Sequence, residues 1–521
     1  MSQFLGLDAS TQSLSAMVID TATGELVVDE TVSFGTELPQ YNSPNGFLPA
    51  DDPLVKHSDP LMWLDALDLL LQRCVDQGVD WSAVTGISGS GQQHGSVYLG
   101  AGFEGALAFD AGRSLAEQVK PHLTRATAPI WMDSSTAAEC REIAAAVGGD
   151  DAMVRITGSR AIERFTGPQI RKFYKDAPDA YERTARIHLV SSFMASVLAG
   201  RDVGIDLGDG AGMNLLELAA GDWHEELLDA TAPGLRDRLR PPVAPDQPVG
   251  VVAPYFVERY GFAAGTPVVP FSGDNPCSLA GMGATAPGTA VVSLGTSDTF
   301  FAAMSRPVTD PRGFGHVFGN PAGGFMSLVC FKNGSLAREA VRERIGNPGW
   351  DAVEKLVLEE TAAGNGGNLM LPFFEAEITP RLLEPTVELR GDDAFCNWDE
   401  PAAAARAVIE CQAVNMKVHA DWIGEAPDRV RVTGGASQNR AIRQVLADVF
   451  QAEIQSLSVS NSAALGAALR AANGAGDHEW ESLFGQFCKL DPEVTTPQPG
   501  NAEVYAEMAE RFQALLAEVS A

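Results

Sequence analysis

The chain has no cysteine pair in the C-x-x-C spacing of a metal site or redox motif. Its seven cysteines (74, 140, 277, 330, 396, 411 and 488) are scattered and odd in number. A structural zinc centre and a disulfide framework are therefore not expected, and a reducing, cytoplasmic setting is. No run reaches the roughly 18 continuous apolar residues of a membrane span. The start, MSQFLGLDAS, lacks the basic and apolar regions of a signal peptide, so none is expected. Positive charge is scarce: 37 Lys and Arg stand against 68 Asp and Glu, a formal net charge of −31 at pH 7. Nucleic acid and anionic membrane are thus poor partners. Any anionic ligand must be held by local devices such as backbone amides, helix N-termini or a cation. Neither a G-x-x-x-x-G-K-[ST] loop nor a complete protein-kinase signature set is present.

What remains is an ordinary soluble composition, 45% apolar and 20% charged, in 521 residues. That length calls for two domains. Two distant stretches read alike. FLGLDASTQSLSAMVID gives a strand Phe4–Leu7, a polar loop and a second strand through Met17–Ile19. GTAVVSLGTSDTFFAAM gives a strand Ala290–Leu294, a loop Gly295–Asp298 and a strand Thr299–Ala303. Each is a β-hairpin with Ser and Thr hydroxyls at its tip, a device whose outward N–H groups suit phosphate. The repetition predicts two related α/β domains, 1–265 and 266–521, divided where Gly261, Gly265 and Pro267 break the chain before a strand near Val268. IHLVSSFMASVLAG reads as a buried helix. RVRVTGGASQNRAIRQVLADVFQAEIQSL reads as strand, Gly-Gly turn, helix and strand, with Ile442, Val445, Leu446, Val449 and Phe450 on the buried face. Ser437 and Asn439 fall at the helix start, where free N–H groups are expected to point outward.

The stretch GISGSGQQHGSVYLG, 86–100, is unusual in carrying glycines at 86, 89, 91 and 95 around a single histidine, His94. So many glycines predict a backbone that something approaches closely; the expected visitor is a hydroxyl-covered ligand, with His94 giving a directed hydrogen bond. Four polar clusters stand at predicted strand ends: Asp8, Ser10, Thr11 and Gln12; Gln92, Gln93 and His94; Asp274 and Asn275; Gly295 and Thr296. Ligands of α/β folds bind there, so the four are expected to converge. Asp274 is placed to accept the proton of a hydroxyl nucleophile, or else to cap the helix that follows. Asp8 is placed to hold Mg²⁺, a cation that takes one or two carboxylates together with phosphate, or else to form a turn. His94 either faces a ligand or is a satisfied structural histidine.

The ordered set GLDASTQS, SGQQHGS, WMDSS, SGDN, SLGTSDT and TGGASQNR resembles the FGGY family of carbohydrate kinases. SGQQHGSVY, WMDSSTAAECR, GSRAIERFTGPQI and CFKNGSL further resemble its eukaryotic-type xylulokinase branch. The resemblance spans nearly the whole chain. It implies two actin-like ATPase (ribonuclease H-like) domains facing a central cleft, with ATP and Mg²⁺ as co-substrate and cofactor, and phosphorylation of D-xylulose at its terminal hydroxyl. It makes Asp274 the catalytic base. Around the sugar it implies His94, Gln93, Arg164, Asn275 and Asp133. Around the nucleotide it implies Thr11, Gln12, Gly295, Thr296, Gly434, Gly435 and Asn439, with Trp350 as the adenine wall or else a core aromatic. Asp8 is its metal ligand. Ser134 and Ser135 after Asp133, Gln93 before His94 and Asp298 in the GTS loop depart from many family members. Ribulose, glycerol or gluconate as substrate, and a nucleotide-gated sensor without kinase activity, are the alternatives. A monomer or homodimer is expected.

Overall fold

The computed structural model describes residues 2–457 and 461–520 as a chain of alternating strands and helices. It divides into two compact units. The first comprises Met1–Thr285, Val317–Phe325 and Ser460–Cys488; the second comprises Ala286–His316, Met326–Val459 and Lys489–Ala521. A single cut at 265 does not reproduce this division. The segment 266–285 supplies strands and a helix to the first unit, and helix Ser462–Gly476 returns to it from the far end of the chain.

In the first unit strand Gln3–Ala9 runs antiparallel to Ser13–Asp20, which is followed in turn by Glu25–Ser33. On its other side Gln3–Ala9 pairs in parallel with Val84–Gly91. Pro267–Val268 and Ser272–Gly273 add to the far edge of Val84–Gly91, also in parallel. The expected hairpin is therefore present. The glycine-rich stretch is not a strand exit, however: Val84–Gly91 is itself a central, buried strand.

The glycines of that strand serve protein neighbours. A Cβ on Gly86 would lie 2.7 Å from the Ala475 methyl, and one on Gly89 2.2 Å from the Phe271 ring. On Gly91 it would meet the Ser191 nitrogen at 2.8 Å, and on Gly95 the Val190 side chain at 2.8 Å. The expectation of a ligand lying on these glycines is corrected: in an interior packed to crystal density, neighbouring side chains and helix backbone fill the space. IHLVSSFMASVLAG is corrected in the same way. Its first part closes strand Thr184–Leu189, and the fully buried helix begins only at Val190.

Helix Ser462–Gly476, SAALGAALRAANGAG, buries mostly Ala and Gly, interrupted by Leu465, Leu469 and Arg470. Alanine favours helix and keeps the cylinder thin, so the backbone itself reaches its neighbours. A Cβ on Gly6 would stand 2.1 Å from the Ala464 carbonyl oxygen. Against helix Asp274–Gly281 the contact is glycine to backbone from both sides: Gly466 would meet the Cys277 oxygen at 1.8 Å, and Gly281 the Ser462 oxygen at 1.9 Å.

The second unit repeats the topology. Strand Thr289–Leu294 is antiparallel to Asp298–Met304 and parallel to Arg429–Thr433, which is parallel to Glu453–Leu457. Helix Arg440–Phe450 buries Ile442, Val445, Leu446, Val449 and Phe450, the five positions expected from the period of 3.6. Two of its N-terminal amides are already taken, which corrects that expectation for them. The Asn439 side chain accepts from the Ile442 N–H at 3.0 Å, and Glu354 accepts from the Arg440 N–H at 2.8 Å. Among the described residues no helix is long and apolar enough to cross a membrane.

The glycine crossing gives a direct test. Gly466→Ala should cost about 3 kcal/mol or more, because backbone on the facing helix has no room to yield. Gly485→Ala, in helix Trp480–Phe487 where nothing lies within 4 Å of the new carbon, should be neutral or slightly stabilising. Equal melting temperatures for the two variants would refute the packing argument.

Candidate active site

Register builds the first part of the site. Asp8 stands opposite Ser90, and Ser90 opposite Ser272, so one row crosses the carboxyl ends of three parallel strands. Asp8 is 5% exposed and accepts a hydrogen bond from the Ser90 hydroxyl at 2.6 Å. Asp274 follows two residues after Ser272 as the first residue of helix Asp274–Gly281, with Gly273 in the capping position. Gly273 offers no side-chain cap, and Asp274 itself engages the first turn through one oxygen. It remains partly exposed, and its Oδ1 accepts from the Asn275 amide N–H at 2.8 Å and from Asn275 Nδ2 at 3.1 Å.

Burial shifts both acids. The Asp274 carboxyl is pushed up to about 7, first by desolvation and then by the charge of Asp8. Asp8 rises to about 6 through burial, against the hydrogen bonds from Ser90 and Asn461. A carboxylate that titrates near neutrality is a competent general base. An acid whose charge raises its neighbour's proton affinity also leaves room for a cation. Among the described residues no cluster of three or more His, Cys, Asp or Glu could hold a metal by protein ligands alone. That donor set fits Mg²⁺, which takes one or two carboxylates and completes its shell with water and phosphate.

The sugar-side candidates lie around Asp274. Asn275 Nδ2 also donates to Gln93 Oε1 at 2.8 Å, and the Gln93 side chain lies over Gly273, where a Cβ would meet it at 2.5 Å. His94 adopts a left-handed backbone, φ 69°, which turns its ring out of the strand direction. The ring stacks on Phe165 at 4.2 Å, and its Nδ1 lies 2.8 Å from the Gly212 carbonyl oxygen. A carbonyl only accepts, so Nδ1 carries a proton and donates it to Gly212. Arg164 sits in the turn before helix Thr166–Asp176, its guanidinium 5.7 Å from the Phe165 ring centre.

Asp133 is placed differently from a sugar ligand. It is fully buried, and its oxygens accept from the amides of Ser135 and Lys56, the Ser135 hydroxyl and Gln169 Nε2. Burial opposes its charge, yet these bonds and His57 outweigh burial and hold the carboxyl well below the usual carboxylate range. Its lone pairs organise the WMDSS loop instead. In that loop the exposed Trp131 donates its Nε1–H to the Thr11 hydroxyl at 2.8 Å, while Gln12 is exposed at the hairpin tip. Cys277 is buried and its thiol pushed up to about 12, first by desolvation, so it is inert to oxidation as a thiolate.

The fourth cluster belongs to the second unit, where a cavity of about 520 Å³ is lined by Gly295, Thr296, Trp350, Gly435, Asn439 and neighbours. Trp350 opens helix Trp350–Glu359 and is 39% exposed, so it is a cavity wall rather than a core aromatic. Gly434 does not line the cavity. Its φ of 90° and the Leu294 oxygen 2.3 Å from any added Cβ make it the tight turn behind the lining. One detail of the hairpin tip is corrected: the Gly295 N–H already donates to Asp298 Oδ1 at 3.1 Å. Asp298, fully buried, receives both terminal nitrogens of Arg338 at 2.8 and 3.1 Å, and Arg338 also donates to Gln412 at 2.9 Å. That pair fixes the loop from behind.

Residues 112–281 match the N-terminal domain, and residues 290–475 the C-terminal domain, of the FGGY family of carbohydrate kinases. The chain is a member of that family. The xylulose kinase of Rattus norvegicus is 41% identical over 520 residues, covering 98% of this chain and 96% of that relative. Xylulose kinase 2 of Arabidopsis thaliana is 41% identical over 493 residues, covering 91% and 87%. The solved xylulose kinase from Rhodospirillum rubrum superposes with a TM-score of 0.83 at 22% identity over 99% of both chains, which establishes the actin-like α/β fold. The chain is therefore a carbohydrate kinase, and ATP is its implied phosphoryl donor.

Sequence reasoning missed two parts of this FGGY kinase. Arg338, which anchors Asp298, gave no local signal because forty residues separate the pair. Asp206 and Asp209 in DLGDGAG are buried beside Ser272 and Ser191; acids set among glycines after an apolar run were the available clue. The raised acids predict a pH-dependent difference in stability. Asp274 binds a proton in the folded state up to about 7, but in the unfolded chain only to about 4. Folding is thus favoured by this group at low pH, and that contribution is lost as pH rises through the interval. Asp274→Asn should melt with the wild type at pH 4 and above it at pH 8; a constant difference would refute the raised acid.

Proposed function

We propose that this kinase transfers the terminal phosphoryl group of ATP to the terminal hydroxyl of D-xylulose, giving D-xylulose 5-phosphate. The observation that carries the reading is Asp274: a carboxylate at a strand end, ionising near neutrality, held by Asn275 and Gln93. The choice of sugar is supported by full-length relatives named xylulose kinase in rat and Arabidopsis.

Asp274 accepts the proton of the attacking hydroxyl as the new P–O bond forms. His94, together with Gln93, Asn275 and Arg164, pairs the sugar's remaining hydroxyls. A mismatch at the buried Gln93 or His94 would leave a polar group unpaired, the strong form of sugar discrimination. Asp133 acts indirectly, through the loop that carries Trp131 to Thr11. In the second unit Thr296 and the neighbouring tip backbone are the phosphate contacts; in the first, the Thr11–Gln12 tip is the corresponding candidate. Gly435 and Asn439 line the nucleoside side and Trp350 walls the base. Asp8 would hold Mg²⁺, which neutralises phosphate charge when bound.

ADP release measured over a panel of D-xylulose, ribulose, glycerol and gluconate tests the substrate. D-xylulose should give the highest kcat/KM; preference for another acceptor would replace it, and ATP binding with no sugar-dependent turnover would favour a sensor. Asp274→Ala should lower turnover at least 1,000-fold while sugar binding survives, and near-normal turnover would refute the base. In the wild type kcat/KM should rise with pH through about 7, the value to which Asp274 is raised. Trp350→Ala should raise the KM for ATP about tenfold with little change in the KM for sugar; an unchanged ATP KM would exclude the base wall.

A further inference from the structure

Behind Asp274 lies a buried acid that the proposed chemistry does not use. Asp209, in the short helix Leu207–Gly210, is 1% exposed, and its Oδ2 lies 2.5 Å from the Ser191 hydroxyl. The same loop presses on the strand that delivers Asp274: a Cβ on Gly208 would meet the Ser272 hydroxyl at 2.7 Å. Two buried polar atoms here have no hydrogen-bond partner among the described residues, Asp209 Oδ1 and Gln93 Nε2.

Donor and acceptor bookkeeping orders the group. Asn275 must direct its NH₂ at the Asp274 carboxylate, and the same NH₂ donates to Gln93 Oε1. The orientation of Gln93 is thereby fixed, and its own NH₂ is turned away from Asn275 in search of an acceptor. Asp209 is near enough to feel that amide, although no standard hydrogen bond is formed. Two unsatisfied buried groups of complementary type cost least when they pair.

We propose that Asp209 is a positioning residue for phosphoryl transfer, anchoring Gln93 so that Gln93 and Asn275 hold the Asp274 carboxylate in one orientation. This rests on Asp274 acting as the base in the reading above. The charged groups facing Asp209 are Asp274 and Asp206, the latter paired with Arg470 at 3.0 Å. Desolvation first, and then these two acids against the Ser191 bond, push the Asp209 carboxyl up to about 8, so it serves near neutrality as a neutral acid. An amide can reproduce that arrangement, accepting from Gln93 and donating to Ser191; a methyl group cannot.

The test uses the full chain and four variants: Asp209→Ala, Asp209→Asn, Gln93→Ala and the double alanine. With the sugar that the wild type phosphorylates best, Asp209→Ala should lower kcat at least tenfold with less than threefold change in the KM for ATP. Asp209→Asn should restore most of that loss, and the double variant should be no more than twofold worse than Gln93→Ala. Amide hydrogen exchange over residues 272–277 should quicken in Asp209→Ala and Gln93→Ala alike and stay near wild type in Asp209→Asn. Losses that multiply in the double variant, a kcat within twofold of wild type in Asp209→Ala, or unchanged exchange would each overturn the relay. If the wild type phosphorylates no sugar, the substrate reading falls, and the exchange measurement still decides the relay.

Discussion

The crossing of helices Asp274–Gly281 and Ser462–Gly476 at backbone contact governs the geometry of the acidic site. Asp274 is the first residue of one helix. Asn461 caps the other, its Oδ1 accepting from the Ala464 N–H at 2.9 Å, which leaves its NH₂ to bond Asp8. Both carboxylates are therefore fixed by one contact, in which Gly466 and Gly281 each face a carbonyl with no space for a methyl group. A helix of bulkier residues would stand off from strand and helix alike and separate the acids. The Ala and Gly content of SAALGAALRAANGAG is in this sense a property of the site, although the helix lies almost two hundred residues from Asp274 in sequence.

The electrostatics follow from that geometry. Asp8 and Asp209 are buried and Asp274 is partly so, with no bonded lysine or arginine among the described residues, and all three are shifted toward the protonated form. Asp206, in the same neighbourhood, is treated differently: Arg470 neutralises it at 3.0 Å, and Ser272 and the Gly208 amide bond its other oxygen. A buried acid kept without a counter-charge is costly unless a ligand supplies one. The contrast separates the acids that support the fold from those held ready for a proton or a cation.

The sequence showed what is local and periodic. Both hairpins, the strand–turn–helix of 429–450 and the chemistry-bearing residues at strand ends were readable because each rests on alternation, a period of 3.6 or a short motif. The glycines of 86–95 were read for a ligand because closeness is all that glycine reports; whether a sugar, Phe271 or Val190 fills the space is decided by chain about a hundred residues or more away. Asp133 was misjudged for a similar reason, since its partners Lys56 and Gln169 are remote in sequence. The domain boundary failed at a cut because a chain that leaves a unit and returns carries no mark of it in composition.

The two units also show how one topology is given two tasks. In each, a first strand runs antiparallel to its hairpin partner and parallel to a later strand. In the first unit the acid lies within the first strand, Asp8, and no lysine or arginine bonds it among the described residues. In the second the acid opens the return strand, Asp298, and is neutralised by both terminal nitrogens of the buried Arg338 while it holds the Gly295 amide. A neutralised acid cannot compete with phosphate for a cation, and a tied-down loop offers a fixed edge to the cavity beside it. An uncompensated acid does the opposite: it attracts a cation and accepts a proton. Transfer of a phosphoryl group to an alcohol needs both behaviours, a surface that tolerates the donor's negative charge and another that takes up the acceptor's proton. On the reading proposed above, Asp298 serves the first by fixing its loop, Asp8 is left to a cation, and the proton goes to Asp274, which the same unit holds beside it.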